Sequence, residues 1–524
     1  MKWAPGATPI GSRPESPAGR SGELPGGWQE SVAGERSAEP VAAVGRRRPG
    51  GQSRIVPPAA VSSGPRLSHL ADVARRAARP RPVGRVSAVV GLEVEVEGVS
   101  AVVGDGVVLG SPGASIEAEV VALRGPRLLC APLGSLVGIG HGSPAEALGR
   151  PPTVEVGDGL LGRVLDGLGR PMDGHPLPGG LVPVGLDGVP PDPLRRRLVR
   201  EPLSVGVRAI DTAITIGRGQ RIGIMAGSGV GKSTLLGMIV RGTDADIVVV
   251  GLVGERNREV GEFVTETLGP EGRARSVVVV ATSDRPALVR LRAARVATRI
   301  AEHFRDEGRH VLLVLDSLTR LAMAQREVGL AVGEPPASRG YPPSAFALLP
   351  ALLERAGTGE QGSITGVYTV LVDGDDLDEP VTDAARSILD GHIVLSRRLA
   401  TSGHYPAIDV LESVSRVASA VTTPAQRALS LELRRLLAAE REVHELVEIG
   451  AYVPGTNPVA DRALALRGAL EAFLCQEVTD LQSAARSWAD LEAIVGDGRR
   501  REAQDAGRPL PADRPGAGVA GVGP

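Results

Sequence analysis

The stretch Arg221-Ile222-Gly223-Ile224-Met225-Ala226-Gly227-Ser228-Gly229-Val230-Gly231-Lys232-Ser233-Thr234-Leu235-Leu236-Gly237-Met238-Ile239-Val240 decides how this chain is read. Residues 221–225 form an apolar run of strand type, and 233–240 carry helical periodicity. Between them lies a glycine-rich turn ending in Lys-Ser-Thr. Strand, glycine turn and helix together make a phosphate-binding loop. Gly227, Gly229 and Gly231 let backbone N–H groups face phosphates, and the helix N-terminus adds its partial positive charge. Ser233 supplies a hydroxyl suited to Mg²⁺. Ala226 stands where the pattern usually opens with glycine. The chain has 59 Lys and Arg residues, of which only Lys2 and Lys232 are lysine. A lysine retained at this slot fits a site that needs a compact ammonium rather than a planar fork.

A second apolar run, Val311-Leu312-Leu313-Val314-Leu315, ends in Asp316. It comes about 80 residues after the loop, where a strand-end carboxylate holds Mg²⁺ in P-loop proteins. Between the two lies Val249-Val250-Gly251-Leu252-Val253-Gly254-Glu255-Arg256-Asn257-Arg258-Glu259-Val260. On composition alone its charges read as a solvated stretch opening a helix. At a strand's carboxyl end, Glu255 and Arg256 are also placed to orient water and hold a γ-phosphate.

At 524 residues the chain should hold several domains. A formal net charge of −2 gives no global field for nucleic acid, and 2% aromatics leaves little for base stacking. No apolar run reaches the roughly 18 residues of a spanning helix, and the start has no apolar signal region. Cys130 and Cys475 are the only cysteines, which reads as a reducing, cytoplasmic setting rather than a disulfide framework.

Residues 1–63 are rich in Pro, Gly, Ser, Ala and Arg and read as a disordered extension. Arg46-Arg47-Arg48 reads as a solvated basic tail. Residues 64–82 contain a short amphipathic helix, Arg66 to Arg79, with Leu67, Leu70, Val73, Ala74 and Ala77 on one face. Packing on its own domain and docking to a partner are equally open for it. From 83 to 152, short alternating strands (84–90, 92–96, 118–123) and frequent glycines predict a small β-barrel. From 153 to 420, strands at 221–225, 247–253, 276–282, 311–315, 365–371 and 392–396 alternate with helices, an α/β domain with a mainly parallel sheet. One of those helices is expected to open at Ser283-Asp284-Arg285-Pro286, with proline in its first turn. Residues 421–495 read as helical, and 496–524 as a second disordered tail.

With these motifs in place, His404-Tyr405-Pro406-Ala407-Ile408-Asp409-Val410-Leu411-Glu412-Ser413-Val414-Ser415-Arg416 resembles the α/β signature of the rotary-type hexameric ATPases. These include the F-type α and β subunits and the type III export ATPases, and the resemblance covers roughly residues 83–490. It implies a RecA-like fold for the central domain. It also implies ATP and Mg²⁺ as ligands, with Lys232 and Ser233 on phosphate and metal. Glu255 would polarise the attacking water and Arg256 contact the γ-phosphate. Glu259 and Asp316 would lie around the Mg²⁺ and its waters, with Tyr405 and, on weaker grounds, Tyr452 against the adenine. Arg416 matches an arginine that reaches into the neighbouring subunit's site. Because Glu255 and Arg416 share one chain, identical copies in a ring could complete each other's sites, and the family ring is a hexamer.

Val332-Gly333-Glu334-Pro335-Pro336-Ala337-Ser338-Arg339-Gly340-Tyr341-Pro342-Pro343-Ser344 and Leu353-Glu354-Arg355-Ala356-Gly357 resemble the flagellar branch. Asp390–Arg397 and Gly374-Asp375-Asp376 fit both export branches. Asn257 and Asp373 depart from the usual residues. The resemblance implies a cytoplasmic motor held peripherally at the base of an export apparatus. Its partners would be a stator-like regulator, a central coiled-coil stalk, the export gate, and substrates with their chaperones; peripheral membrane association goes with that place. Residues 66–79 would engage the regulator. An injectisome ATPase is the nearest alternative. A terminator-like RNA translocase is opposed by Glu93, Glu95, Glu97, Glu117 and Glu119 and by the absence of Phe, Tyr and Trp from 83–150. A nucleotide-binding subunit without turnover is opposed by Glu255.

Overall fold

The computed structural model describes residues 82–372, 376 and 378–506, with side chains as far as residue 496. The expected extension 1–63, nearly all of the helical segment 64–82, Asp373, Gly374 and Asp375, and residues 507–524 lie outside the described residues.

Six strands close the predicted barrel: β1 (Val83–Val90), β2 (Glu93–Glu97), β3 (Gly106–Leu109), β4 (Ile116–Arg124), β5 (Arg127–Pro132) and β6 (Pro144–Ala147). Their order is β1-β2-β5-β4-β3-β6. Val86, Val94, Val96, Val107 and Val120 alternate inward and are fully buried. On β2 the intervening glutamates face outward, where Glu95 meets Arg124 at 3.0 Å and Arg127 at 2.8 Å. β3, β5 and β6 were not legible in the pattern. β3 and β6 are four residues each, too short for alternation to stand out.

The central domain follows as β7 (Val164–Asp166), α1 (Arg208–Ala213), β8 (Arg221–Ala226), α2 (Lys232–Gly242), β9 (Ile247–Val253), α3 (Asn257–Glu262), β10 (Ser276–Ala281), α4 (Ala287–Asp306), β11 (His310–Asp316), α5 (Leu318–Ala331), β12 (Ser363–Leu371), β13 (Gly391–Leu395), α6 (Arg397–Thr401) and β14 (Ile408–Ser415). The sheet order is β14-β13-β8-β12-β11-β9-β10-β7, and along it only β14 runs antiparallel to its neighbour. β9 is buried on both faces, as its unbroken apolar run requires. Its residues alternate between two cores, Val248 and Val250 facing one, Ile247 and Val249 the other.

The opening of α4 differs from expectation. Pro286 itself is the N-cap, at φ −50° and ψ 147°, and no side chain caps the helix. An extended proline cannot sit in the first turn, so the helix starts one residue later. Asp284 instead accepts a hydrogen bond from Asn257 at 3.2 Å.

The described residues end in a helical region whose long helices are α7 (Pro424–Glu448), α8 (Pro458–Leu474) and α9 (Ala484–Ala506). Thr423 and Gln426 form a capping box at the start of α7, and Asn457 caps α8. α9 continues to Ala506, past the expected boundary near 496. Leu433 and Leu436 of α7 share a core with Leu235, Leu236 and Ile239 of α2. Burying side chains of this size contributes roughly 1.5–3 kcal/mol each, so the helical domain is packed onto the sheet domain rather than tethered to it.

Candidate active site

β8, β9 and β11 end side by side, because the parallel register pairs Leu252 with Asp316 while β12 joins β8 to β11. Ligands collect at such carboxyl ends. From β8 the chain turns through Ala226 to Gly231 into α2. Gly229 (φ 77°) and Gly231 (φ 93°) take the left-handed conformation, which residues with a Cβ rarely adopt. Gly231 is the N-cap of α2 and no side chain caps that end. The first-turn N–H groups therefore remain available to an anion. Ser233 and Thr234 are exposed at this end. Ser228 O accepts from Arg397 at 3.3 Å.

Lys232 Nζ bridges two carboxylates, Glu255 Oε1 at 3.2 Å and Asp316 Oδ1. Both carboxylates are buried, Glu255 5% and Asp316 3% exposed. The Thr369 hydroxyl donates to Asp316 Oδ1 at 2.6 Å and so fixes it. Gly254 (φ 74°) makes the turn that delivers Glu255; a Cβ there would lie 2.9 Å from Arg320 Cδ. Burial, then the Asp316 charge, push the Glu255 carboxyl up to about 7 against the pull of Lys232 and Arg320. The hydrogen bond from Glu255 holds Glu259 below its usual value, helped by the Arg256 charge. Arg256 Nη1 reaches Glu259 at 3.1 Å and is otherwise solvent-facing, 72% exposed. A candidate base poised near neutrality, flanked by an ammonium and guanidinium groups, is equipped to activate water beside a phosphate.

Arg320 is a cation the sequence reading missed. Its Nε lies 3.3 Å from Glu255 Oε1. Ser317 caps α5 by accepting from the Arg320 N–H, and this cap sets the turn from which the side chain reaches back. The available signal was an arginine four residues after Asp316, in the first turn of the following helix.

The Tyr405 ring stands against the loop: a Cβ on Gly231 would lie 3.6 Å from its Cε1. Tyr405 is 47% exposed, an open aromatic face beside the phosphate turn. Tyr452 is placed differently. Its hydroxyl donates to Asp461 at 2.9 Å, and its ring packs on the core shared with the C-terminal helices. Arg416 is exposed at the end of β14, and its guanidinium contacts Arg386 O at 3.4 Å.

The pattern of the ATP synthase alpha/beta family, nucleotide-binding domain, matches residues 206–415. That of the T3SS EscN ATPase C-terminal domain matches residues 422–493. The flagellum-specific ATP synthase of Bacillus subtilis is 50% identical over 416 residues, 79% of this chain and 95% of that protein. The type 3 secretion system ATPase of Xanthomonas euvesicatoria is 50% identical over 419 residues, 80% and 95% respectively. The assembled ATPase EscN of enteropathogenic E. coli matches with a TM-score of 0.75 at 44% identity, over 79% of this chain and all of that one. The same ATPase in complex with its central stalk EscO matches at 0.74, with the same identity and coverage. The chain belongs to the flagellar and type 3 secretion ATPases of the ATP synthase alpha/beta family.

Proposed function

We propose that this chain is an Mg²⁺-dependent ATPase that works as a homohexamer to drive protein export through a flagellar type III apparatus. The observation that carries the chemistry is the meeting of Lys232, Glu255 and Asp316 beside an uncapped helix N-terminus. Lys232 and the loop N–H groups hold the β- and γ-phosphates. The hydroxyl of Ser233 and the carboxylates of Asp316 and Glu259 are hard oxygen donors of the type Mg²⁺ takes; the bound ion would offset charge on the phosphates. Glu255 orients the attacking water and takes its proton. Arg320 and Lys232 keep that carboxylate in place. Arg256 lies beside the γ-phosphate, and Tyr405 offers its ring to the adenine.

Arg416 is exposed, as a group serving a neighbouring copy must be. The assembled EscN relative and its complex with the stalk EscO support a ring around a coiled-coil stalk. No helix among the described residues is long and apolar enough to cross a membrane. The place assigned to the chain, by its likeness to the flagellar relatives, is peripheral and cytoplasmic at the base of the apparatus. A stator-like regulator, export gate, substrates and chaperones complete the partner set. The stretches 332–344 and 353–357 favour the flagellar branch. The equal identity to the Xanthomonas protein supports an injectisome role as the second reading.

The test of the chemistry is Glu255→Gln. Turnover should fall roughly 10²–10⁴-fold while a fluorescent ATP analogue still binds; wild-type turnover would overturn the assignment. Complementation separates the branches: restored motility in a flagellar ATPase-null strain supports the first, and restored injectisome secretion alone the second.

A further inference from the structure

The segment joining α8 to α9 is held by the nucleotide-binding domain through an unusual concentration of bonds from one residue. Arg208, the first residue of α1, has a side chain 13% exposed. Its backbone N–H donates to Gln476 Oε1 at 2.9 Å and its Nε to Phe473 O at 2.7 Å. Nη2 donates to Cys475 O. Nη1 reaches Asp480 Oδ2 at 2.9 Å and Gln482 Oε1 at 3.3 Å. All five go to residues 473–482. Gln476, 5% exposed, returns a bond from Nε2 to Gly206 O at 2.8 Å. From the end of α2, Arg241 Nη2 donates to Val478 O at 2.9 Å.

The clamped segment is also what holds Tyr405. The Gln476 N–H donates to Tyr405 O at 2.8 Å. The Tyr405 carbonyl is thus held by Gln476, which the Arg208 backbone N–H grips while the guanidinium holds the adjoining Cys475, and the tyrosine ring stands against Gly231.

We propose that Arg208 is a positioning residue of the nucleotide site, setting the Cys475–Gln476 wall that carries Tyr405 and so governing the hold on the base rather than on the phosphates. The proposal rests on the reading of Tyr405 as the base platform. A guanidinium suits the task because its rigid fork serves several carbonyls at once, which an ammonium does not.

The experiment uses the full-length chain, assembled, with Arg208→Gln, Arg208→Lys, Tyr405→Ala and the double variant Arg208→Gln/Tyr405→Ala. The readouts are KM and kcat for MgATP and the inhibition constant of inorganic tripolyphosphate, which has no base. For Arg208→Gln, KM should rise about tenfold, kcat should fall by less, and tripolyphosphate inhibition should be unchanged. Arg208→Lys should be intermediate. The double variant should bind ATP no worse than Tyr405→Ala, because both changes act on one contact. A rise in KM matched by an equal weakening of tripolyphosphate, additive losses in the double variant, or an unchanged KM would each overturn the proposal. If Tyr405→Ala raises KM and the Arg208 variants do not, the base reading stands and the positioning role falls. If Tyr405→Ala changes nothing, both fall. Should Arg208→Gln fail to fold, Asp480→Ala removes one of the five bonds at a half-exposed site, and its KM should move in the same direction; no movement would count against the proposal.

Discussion

Arg320 Nε lies 3.3 Å from Glu255 Oε1, the same oxygen that Lys232 Nζ approaches at 3.2 Å. One carboxylate oxygen therefore balances two cations while burial and Asp316 work against its charge. Removing Arg320 deletes an interaction that lowers the Glu255 pKa. Arg320→Gln should move the acid limb of the pH–rate profile to higher pH, since the ionised form is the proposed base. It should also cut kcat by roughly 10²-fold, as loss of a preorganised donor does. A pH series of steady-state ATP hydrolysis checks both.

Lys232→Arg keeps the charge and changes its shape. The fork cannot serve Glu255, Asp316 and a phosphate from one point. MgATP affinity, measured by calorimetry, should drop about tenfold or more, with thermal stability close to wild type.

The barrel is locked to the central domain by a buried pair. Arg292 of α4 donates to Glu119 of β4 from Nε at 2.8 Å and Nη2 at 2.7 Å. Removing one partner leaves an uncompensated buried charge. Arg292→Met or Glu119→Gln should each cost about 3–5 kcal/mol, and the double variant less than their sum. Chemical denaturation followed by intrinsic fluorescence tests this.

Acid sensitivity should come in part from Asp173. Arg163 grips its carboxylate from Nε at 2.6 Å and Nη2 at 2.8 Å, and two backbone N–H groups add to the grip. The Arg163 hydrogen bond, foremost, holds the Asp173 carboxyl well below the usual range. The unfolded chain takes up a proton near pH 4, where folded Asp173 stays ionised. Its contribution is thus full above about pH 5 and is lost as pH falls through the folded value. Asp173→Asn should lower stability at pH 7 by roughly 2 kcal/mol and make the acid decline shallower, as urea melts at pH 7 and pH 4 would show.

Much of the candidate site was legible because it is built from local sequence patterns. Lys232 and Ser233 follow directly from a strand, a glycine turn and a helix, and Asp316 and Glu255 from the ends of apolar runs. Arg320 was not legible because its role depends on the lateral pairing of β9 with β11, which brings Glu255 beside the first turn of α5. In sequence it is one arginine among many. Tyr452 shows the converse. Its place in a Gly-Ala-Tyr-Val-Pro-Gly turn marks a loop, but nothing local reveals that Asp461, one helical turn into α8, occupies its hydroxyl. Arg208 was silent too, since its partners lie more than 260 residues away. The helix continuing through 496 was hidden by Gly496 and Gly498, which read as an end.

The account turns on Arg416 completing the site of an adjacent copy, and subunit mixing tests it most directly. Lys232→Ala and Arg416→Ala proteins, each expected to be inactive alone, are assayed singly, then mixed and confirmed to assemble before ATP hydrolysis is measured. The account predicts that activity returns in mixed rings, where an intact loop faces an intact arginine across an interface. Assembled mixed rings that stay as inactive as either parent, or an Arg416→Ala ring that hydrolyses ATP at the wild-type rate, would contradict it.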